Sequence, residues 1–464
     1  MTMADSTAVP GGGRSSLTAG ELETVAGRLR SANVAFARRY PGEIAARQPV
    51  HTVYGGAQLF RADAAPKLGA VAHRALEEYA PDAATLGTSL GIAAHPALST
   101  IYARVVDKLR REAVEDYRID FEDGYGNRPD AEEDGHAAAV GAALAKGSMQ
   151  GTLPPFIGIR VKPLNEELRA RSVRTLDIVL STLLEQARAL PEHFVVTLPK
   201  ITLLEQVEFA VVVLERLERA LGLATPALRF EVMVETPQIV LDASGRSLLP
   251  RVLEAAQGRL VAAHFGTYDY TAGVGITAAH QRMRHPACDF AKHTMQVAFA
   301  GTGVWLSDGS TAVLPVPLHR GGDGKLTATQ LMENRASVHH AWKLHFDDVT
   351  HSLIGGFYQG WDLHPAQLVT RYAALYAFFL DGIDAAASRL RNFVEKAAQA
   401  TLVGDVFDDA ATGQGLLNFF LRGINSGAIA EDEALRMTGL TTEELRGRSF
   451  VTILRSRGGK GTAR

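Results

Sequence analysis

What this chain lacks narrows it first. A single cysteine, Cys288, stands among its 464 residues, which excludes an intramolecular disulfide framework and a zinc site of the multi-cysteine kind. Such usage fits a reducing, cytoplasmic setting. No stretch approaches the roughly 20 uninterrupted apolar residues that span a bilayer, so no membrane partner is expected. The opening MTMADSTAVPGGGRSS has no apolar run and reads as a flexible polar leader rather than a signal peptide. Charge of one sign is also missing. Lys and Arg total 48 against 51 Asp and Glu, a net −3, which gives no electrostatic case for nucleic acid or an anionic membrane surface. No G-x-G-x-x-G turn follows an early strand, so a dinucleotide crevice lacks its fingerprint.

What is present is an ordinary globular balance, 46% hydrophobic and 21% charged, in a chain about three times the usual domain size. Short apolar runs alternate with amphipathic helical stretches, the pattern of parallel α/β architecture. Eight strand-like runs are countable: VHTVYG, YRIDFED, FIGIRVK, FVVTLPK, LRFEVMVET, RLVAAHFG, GVWLSDG and FYQGWDLHP. Helical patterns such as SVRTLDIVLSTLLEQARAL and LLEQVEFAVVVLERLERAL lie between them. An open doubly wound sheet fits the alternation too. Polar residues gathered at successive strand ends, from Asp120 and Glu122 through Arg160, Lys200, Glu235 and Asp269 to His364, favour a closed (β/α)₈ TIM barrel, where those ends share one mouth.

The expected organisation is a leader and N-terminal helix over 1–45, the barrel over 46–372 and a C-terminal helical extension over 373–464. A helical insert at 81–115 is built around STIYARVVDKLRREAVED. In the extension, DEALRMTGLTTEEL has helix–turn–helix-like spacing, and the acidic balance assigns it to packing or oligomerisation.

Two acids carry the chemistry. Glu235 ends the apolar strand VMVET, and Asp269 lies in the turn HFGTYDY after the next strand. A carboxylate closing an apolar strand is costly unless paired or metal-bound, and two on neighbouring strands are placed to share one hard cation. Mg²⁺ suits this, because it takes one or two protein carboxylates and completes its shell with water and substrate oxygens; Mn²⁺ is the alternative ion. The competing reading for both acids is a salt bridge or a helix cap.

Period-two alternation puts Asp120 and Glu122 of RIDFEDGYG on one side of their strand, where they would accept from metal-bound water or orient a basic residue. Arg160 suits a carboxylate bidentately and would stabilise a developing enolate oxygen; an ion pair with the RIDFED acids is compatible with that. Lys200 is either a Schiff-base nucleophile or, more simply, a paired ammonium. His264 reads as a satisfied strand histidine, and HHAWKLH as a helix with solvated and half-buried faces.

The ordered motifs resemble the HpcH/HpaI aldolase and citrate lyase β-subunit superfamily, which is related to malate synthases. The resemblance rests on Asp120-Phe121-Glu122-Asp123, Ile159-Arg160-Val161-Lys162, Leu198-Pro199-Lys200, Glu235-Thr236, Gly266-Thr267-Tyr268-Asp269-Tyr270 and the Gly360–Gln367 run containing His364-Pro365. It implies Mg²⁺ on Glu235 and Asp269, and substrate held by Arg160 with Gly266, Thr267 and Tyr268 beside it. It implies reversible carbon–carbon cleavage next to a carbonyl of a small keto acid or acyl-CoA. Asp120, Glu122 and Lys200 fall among the catalytic positions. Asp409, beside Asp408 in VFDDAATGQG, is matched to an acid that relatives' C-terminal segments supply, and a homo-oligomer, trimer or hexamer, is implied as well. Two alternatives stay open: a malate synthase-like condensation of acyl-CoA with glyoxylate, and a Schiff-base aldolase through Lys200.

Overall fold

The computed structural model describes residues 19–42, 46–321, 325–395, 401–403, 406–408 and 410–458. The chain forms two compact units, Met1–Ile44 with Ala300–Gly303, and Ala45–Phe299 with Val304–Arg464. In the first, a helix spans Ala19–Arg39, and the Gly42 N–H donates to Gly301 O at 2.9 Å.

The second unit is a (β/α)₈ barrel. Its strands are β1 (Thr52–Gly56), β2 (Asp116–Asp120), β3 (Phe156–Arg160), β4 (Phe194–Leu198), β5 (Arg229–Val234), β6 (Leu260–Phe265), β7 (Trp305–Ser310) and β8 (Gln359–Asp362). All pair in parallel and in sequence order, and β8 closes on β1 through Thr52↔Trp361 and Val53↔Asp362. Each strand falls on one of the eight apolar runs, with β1, β2 and β7 each running one residue past theirs, and the open sheet is excluded by that closure.

Alternation sorts each strand into two faces. Ile157, Ile159, Val196, Leu198, Val232, Val234 and Phe265 are buried in the core shared with the surrounding helices, each burial contributing about 1.5–3 kcal/mol. Helices Asp130–Gln150 and Arg169–Ala187 pack closely because Gly141 has no side chain; a Cβ there would lie 2.6 Å from Val179 O.

The insert forms helices Ala83–Leu90 and Leu98–Arg111. The second ends earlier than its sequence pattern through Asp116 indicates. Glu112 leaves the helix at φ −159°, and Glu115 turns inward to Lys108 at 2.6 Å and Arg47 at 2.8 Å, so the chain extends into β2.

Beyond β8, helix Gln367–Leu380 is buried on nearly every side, as a helix apolar all round must be. The DEALRMTGLTTEEL pattern resolves into helices Glu431–Thr438 and Thr442–Arg446. Gly439 caps the first in the left-handed region (φ 68°), and Thr441 and Glu444 form a capping box on the second. Arg422, on helix Ala410–Asn425, donates to Gln48 Oε1 at 2.8 Å, tying the extension to the N-terminal end of the barrel.

Candidate active site

The barrel interior is polar, and it is layered. Gln48 donates to Gln359 Oε1 at 3.1 Å, Gln359 to Thr52 Oγ1 at 3.0 Å, and Thr52 to Asp116 Oδ2 at 2.8 Å. Arg118 meets Asp116 and forms two 2.7 Å hydrogen bonds to the carboxylate of Glu231. Thr197 donates to the same carboxylate at 2.6 Å, and His264 Nε2 lies 3.1 Å from it, out of line for a formed hydrogen bond. Burial alone would raise the Glu231 pKa, but Arg118 and His264 outweigh it and hold Glu231 well below the usual carboxylate range. His264 is therefore not the satisfied histidine expected: it is fully buried beside Glu231, and neither ring nitrogen forms a hydrogen bond.

Above this layer the Tyr54 and Trp361 rings stack at 4.3 Å, with the Arg160 guanidinium 5.0 Å and 5.8 Å from their centroids. Such cation–π contacts hold a guanidinium in place. Arg160 then binds Asp120 bidentately, at 2.7 and 2.6 Å. Asp120 also accepts from the N–H groups of Glu122 (2.9 Å) and Gly124 (2.7 Å), folding the DFEDG turn over the strand end. A side chain on Gly124 would put its Cβ 2.6 Å from Asp120 Oδ2.

At the mouth, Arg160 Nη1 faces Glu122 at 3.0 Å and Asp123 at 3.6 Å. Lys200 Nζ donates to Glu122, reaches Asp123 at 3.3 Å, and lies 3.5 Å from Asp269 Oδ1. Its own backbone N–H donates to Glu235 Oε1 at 2.7 Å. Lys200 holds a positive φ of 50°, a conformation that costs a side-chain-bearing residue about 1–2 kcal/mol and clusters at functional sites. Glu235 is 2% exposed, while the Asp269 side chain, in the first turn of helix Thr267–Gly273, is 41% exposed. Gly266 makes room for the Glu235 side chain, since a Cβ there would lie 2.6 Å from Glu235 Oε2.

Five carboxylates, Asp120, Glu122, Asp123, Glu235 and Asp269, therefore surround two cations, Arg160 and Lys200. The imbalance shows in the titration. Burial pushes Glu235 up to about 8, with Asp269 and Glu122 adding to it and Lys200 and Arg160 opposing. Burial likewise pushes Glu122 up to about 7. Burial works against the Lys200 ammonium, but Glu235 and Glu122 outweigh it, so its pKa is raised and it stays protonated.

The structure brings together Asp120, Glu122, Arg160, Lys200, Glu235 and Asp269, with Gly266 and Thr267 adjacent. Thr267 Oγ1 is buried without a hydrogen-bond partner. Tyr268 is directed elsewhere: its hydroxyl donates to Ser310 O at 3.0 Å and accepts from Ala312 N–H at 2.8 Å, pinning the end of β7. His364 caps its own turn, accepting from Ala366 N–H at 3.2 Å. His345, on the helix Ala328–Ile354, is fully buried rather than half-solvated, 3.0 Å from Asp362. Cys288 is buried, and burial raises its thiol to about 12, so it is no nucleophile. Asp409 lies outside the described residues. Sequence reasoning passed over Tyr54 and Trp361, although alternation from Thr52 and Gln359 places both on the inward face.

A family model described as a domain of unknown function (DUF6986) matches residues 29–453. Among curated proteins, none matches the chain. Similar solved structures include a citrate lyase from Burkholderia xenovorans LB400, with TM-score 0.54 and 18% identity over 85% of this chain and 97% of that one. A malate synthase from Haloferax volcanii aligns with TM-score 0.47 and 13% identity over 88% and 99% of the two chains. The protein CitE from Mycobacterium tuberculosis, solved with magnesium, acetoacetate and coenzyme A, gives 0.46 and 14% over 83% and 100%. The first likeness is one of fold, and the other two are weaker still.

Proposed function

The chain belongs to the family described as a domain of unknown function (DUF6986), and from its site we propose a Mg²⁺-dependent carbon–carbon lyase or aldolase that cleaves or forms a bond next to the carbonyl of a small keto acid or acyl-CoA. The observation that carries the reading is the excess of carboxylates over cations at the barrel mouth, with Glu235 desolvated beneath a more open Asp269. Buried like charges of this kind persist when a cation offsets them.

The donor set fits Mg²⁺. Among the described residues no three His, Cys, Asp or Glu side chains form a closed metal cage, and Mg²⁺ needs none, since it retains several waters and binds through one or two carboxylates. Glu235 and Asp269 would hold it, and when bound it supplies Lewis-acid polarisation of a carbonyl oxygen. Arg160, fixed by Asp120 and by the Tyr54–Trp361 stack, presents a preorganised positive charge to the oxyanion that develops beside that carbonyl. Glu122, raised to about 7 by burial, is matched to moving a proton near neutral pH. The aromatic pair floors the mouth and excludes water from beneath the reacting centre.

A Schiff-base route through Lys200 is disfavoured by its environment: an ammonium paired to three carboxylates is no nucleophile. The condensation reading differs by releasing a thiol from acetyl-CoA and glyoxylate, which a thiol assay detects. The test of the main reading is exchange of the pyruvate methyl protons in D₂O, followed by NMR. Exchange that requires Mg²⁺ and is lost in Glu235→Gln supports enolate chemistry. Absence of Mg²⁺-dependent exchange or cleavage across pyruvate, oxaloacetate and their 2- and 3-hydroxy acyl adducts sinks it.

A further inference from the structure

Lys200 occupies an odd place for a residue with no assigned step. Its ammonium touches Glu122 and Asp123 and lies 3.5 Å from Asp269, while its backbone N–H is bound by Glu235 at 2.7 Å. One residue thus contacts four of the five acids at the mouth, on three different strand ends besides its own. It does so from a left-handed backbone conformation, φ 50°, with its N–H held by the Glu235 carboxylate. The side chain is 29% exposed, open enough to swing outward and confined enough to be held.

We propose that Lys200 is a resident counter-ion, which keeps the acids of the mouth assembled in the metal-free protein and competes with the incoming divalent cation for Asp269. The inference rests on the metal-site reading above and goes beyond it by assigning the lysine a role against the ion. The physical argument is one of displacement. Acids gathered around a buried charge repel one another unless a cation sits among them, and an ammonium supplies this from within the chain. A divalent ion placed on Glu235 and Asp269 removes the need for it, and like charge drives the ammonium away from Asp269 toward Glu122 and Asp123. Occupancy of the site then includes the cost of loosening the Lys200–Asp269 contact, which sets a weaker affinity than two free carboxylates would show.

The experiment uses the full chain and Mn²⁺ alone as probe, with free Mn²⁺ read by its electron paramagnetic resonance signal. Lys200→Met removes the ammonium and keeps the side-chain length. Lys200→Asn also removes it and suits the positive φ, so it stays folded if the methionine variant does not. Both are expected to bind Mn²⁺ up to about fivefold more tightly than wild type, with Lys200→Arg close to wild type. Without metal, both uncharged variants are expected to melt below wild type, and saturating Mn²⁺ closes the gap. Wild-type binding with unchanged or weaker affinity in both uncharged variants overturns the counter-ion role and leaves the metal reading standing. Binding in neither wild type nor variants overturns both.

Discussion

Two charged clusters sit one above the other inside the barrel, drawn largely from the same strands, and their polar groups are satisfied to different degrees. In the lower one, Arg118 closes on Glu231 and Asp116, while Thr197 donates to Glu231 and Thr52 to Asp116. Each acid there has a partner; Glu231 is held well below the ordinary carboxylate range, while burial raises Asp116. In the upper one, five acids share two cations, and Glu122 and Glu235 are pushed up to about 7 and about 8. A satisfied polar network rigidifies a core; an unsatisfied one marks a place built to receive something. The difference lies in solvent access and hydrogen-bond satisfaction rather than in residue type.

The widest gap between the clusters should appear in activity. Glu235→Gln keeps an oxygen for the Lys200 N–H but removes a charge proposed to hold the metal. Mg²⁺-dependent pyruvate proton exchange is expected to fall on the order of 10³-fold, since several kcal/mol of charge stabilisation leave with the ion. Stability in metal-free buffer should hold or rise, because a desolvated acid has been neutralised. A loss of stability that tracks the loss of exchange would erase the distinction between the clusters.

Breaking the lower cluster should do the reverse. Arg118→Met leaves Glu231 and Asp116 buried without their shared cation, and a severed buried pair costs about 3–5 kcal/mol. Urea denaturation should show that loss, while Mn²⁺ affinity in whatever remains folded stays near wild type.

The pH dependence separates Glu231 from the two raised mouth acids by sign. Glu235 and Glu122 titrate above their ordinary 4.5 in the folded protein, so the native state keeps protons that the unfolded chain has released. Stability from the mouth therefore falls as pH rises from about 4.5 toward 8. Glu231 is depressed, so its contribution is complete above about 4.5 and is lost only as pH falls below it. Calorimetric melting in metal-free buffer should decline between about pH 5 and 8. Glu235→Gln or saturating Mg²⁺ should flatten that decline, and Glu231→Gln should leave it in place.

The eight strands were legible because each is a short apolar run that charge rarely interrupts. The mouth acids were legible because Glu235, Asp269 and the Asp120–Asp123 turn stand at strand ends beside Gly, Thr or Pro, where a chain has no structural reason to keep a carboxylate. The lower cluster was not legible. Arg118 and Glu231 sit within strands and look like simple alternation, and each finds its partner more than a hundred residues away along the chain. Tyr54 and Trp361 were passed over for the same reason: stacking across the β1–β8 seam exists only once the barrel closes. Tyr268 was misdirected by its neighbourhood, since a hydroxyl next to a site residue has no sequence mark showing that it binds the β7 backbone instead.

One substitution made twice gives the smallest effect and the cleanest contrast. Thr197→Val in the lower cluster deletes a hydroxyl that donates to Glu231 at 2.6 Å, and leaves a buried carboxylate short of a partner. The expected cost is about 1–3 kcal/mol by urea denaturation. Thr267→Val at the mouth deletes a hydroxyl that is just as buried but has no hydrogen-bond partner. With nothing to lose and a desolvated polar atom removed, stability should stay within about 0.5 kcal/mol of wild type or rise slightly. Equal costs at the two threonines would mean that the Thr267 hydroxyl is satisfied in the resting protein, and the upper cluster would then be as closed a network as the lower. Unequal costs, with the Thr267 variant weakened only in substrate or Mn²⁺ binding, would place that hydroxyl among the groups the mouth holds in reserve for its ligand.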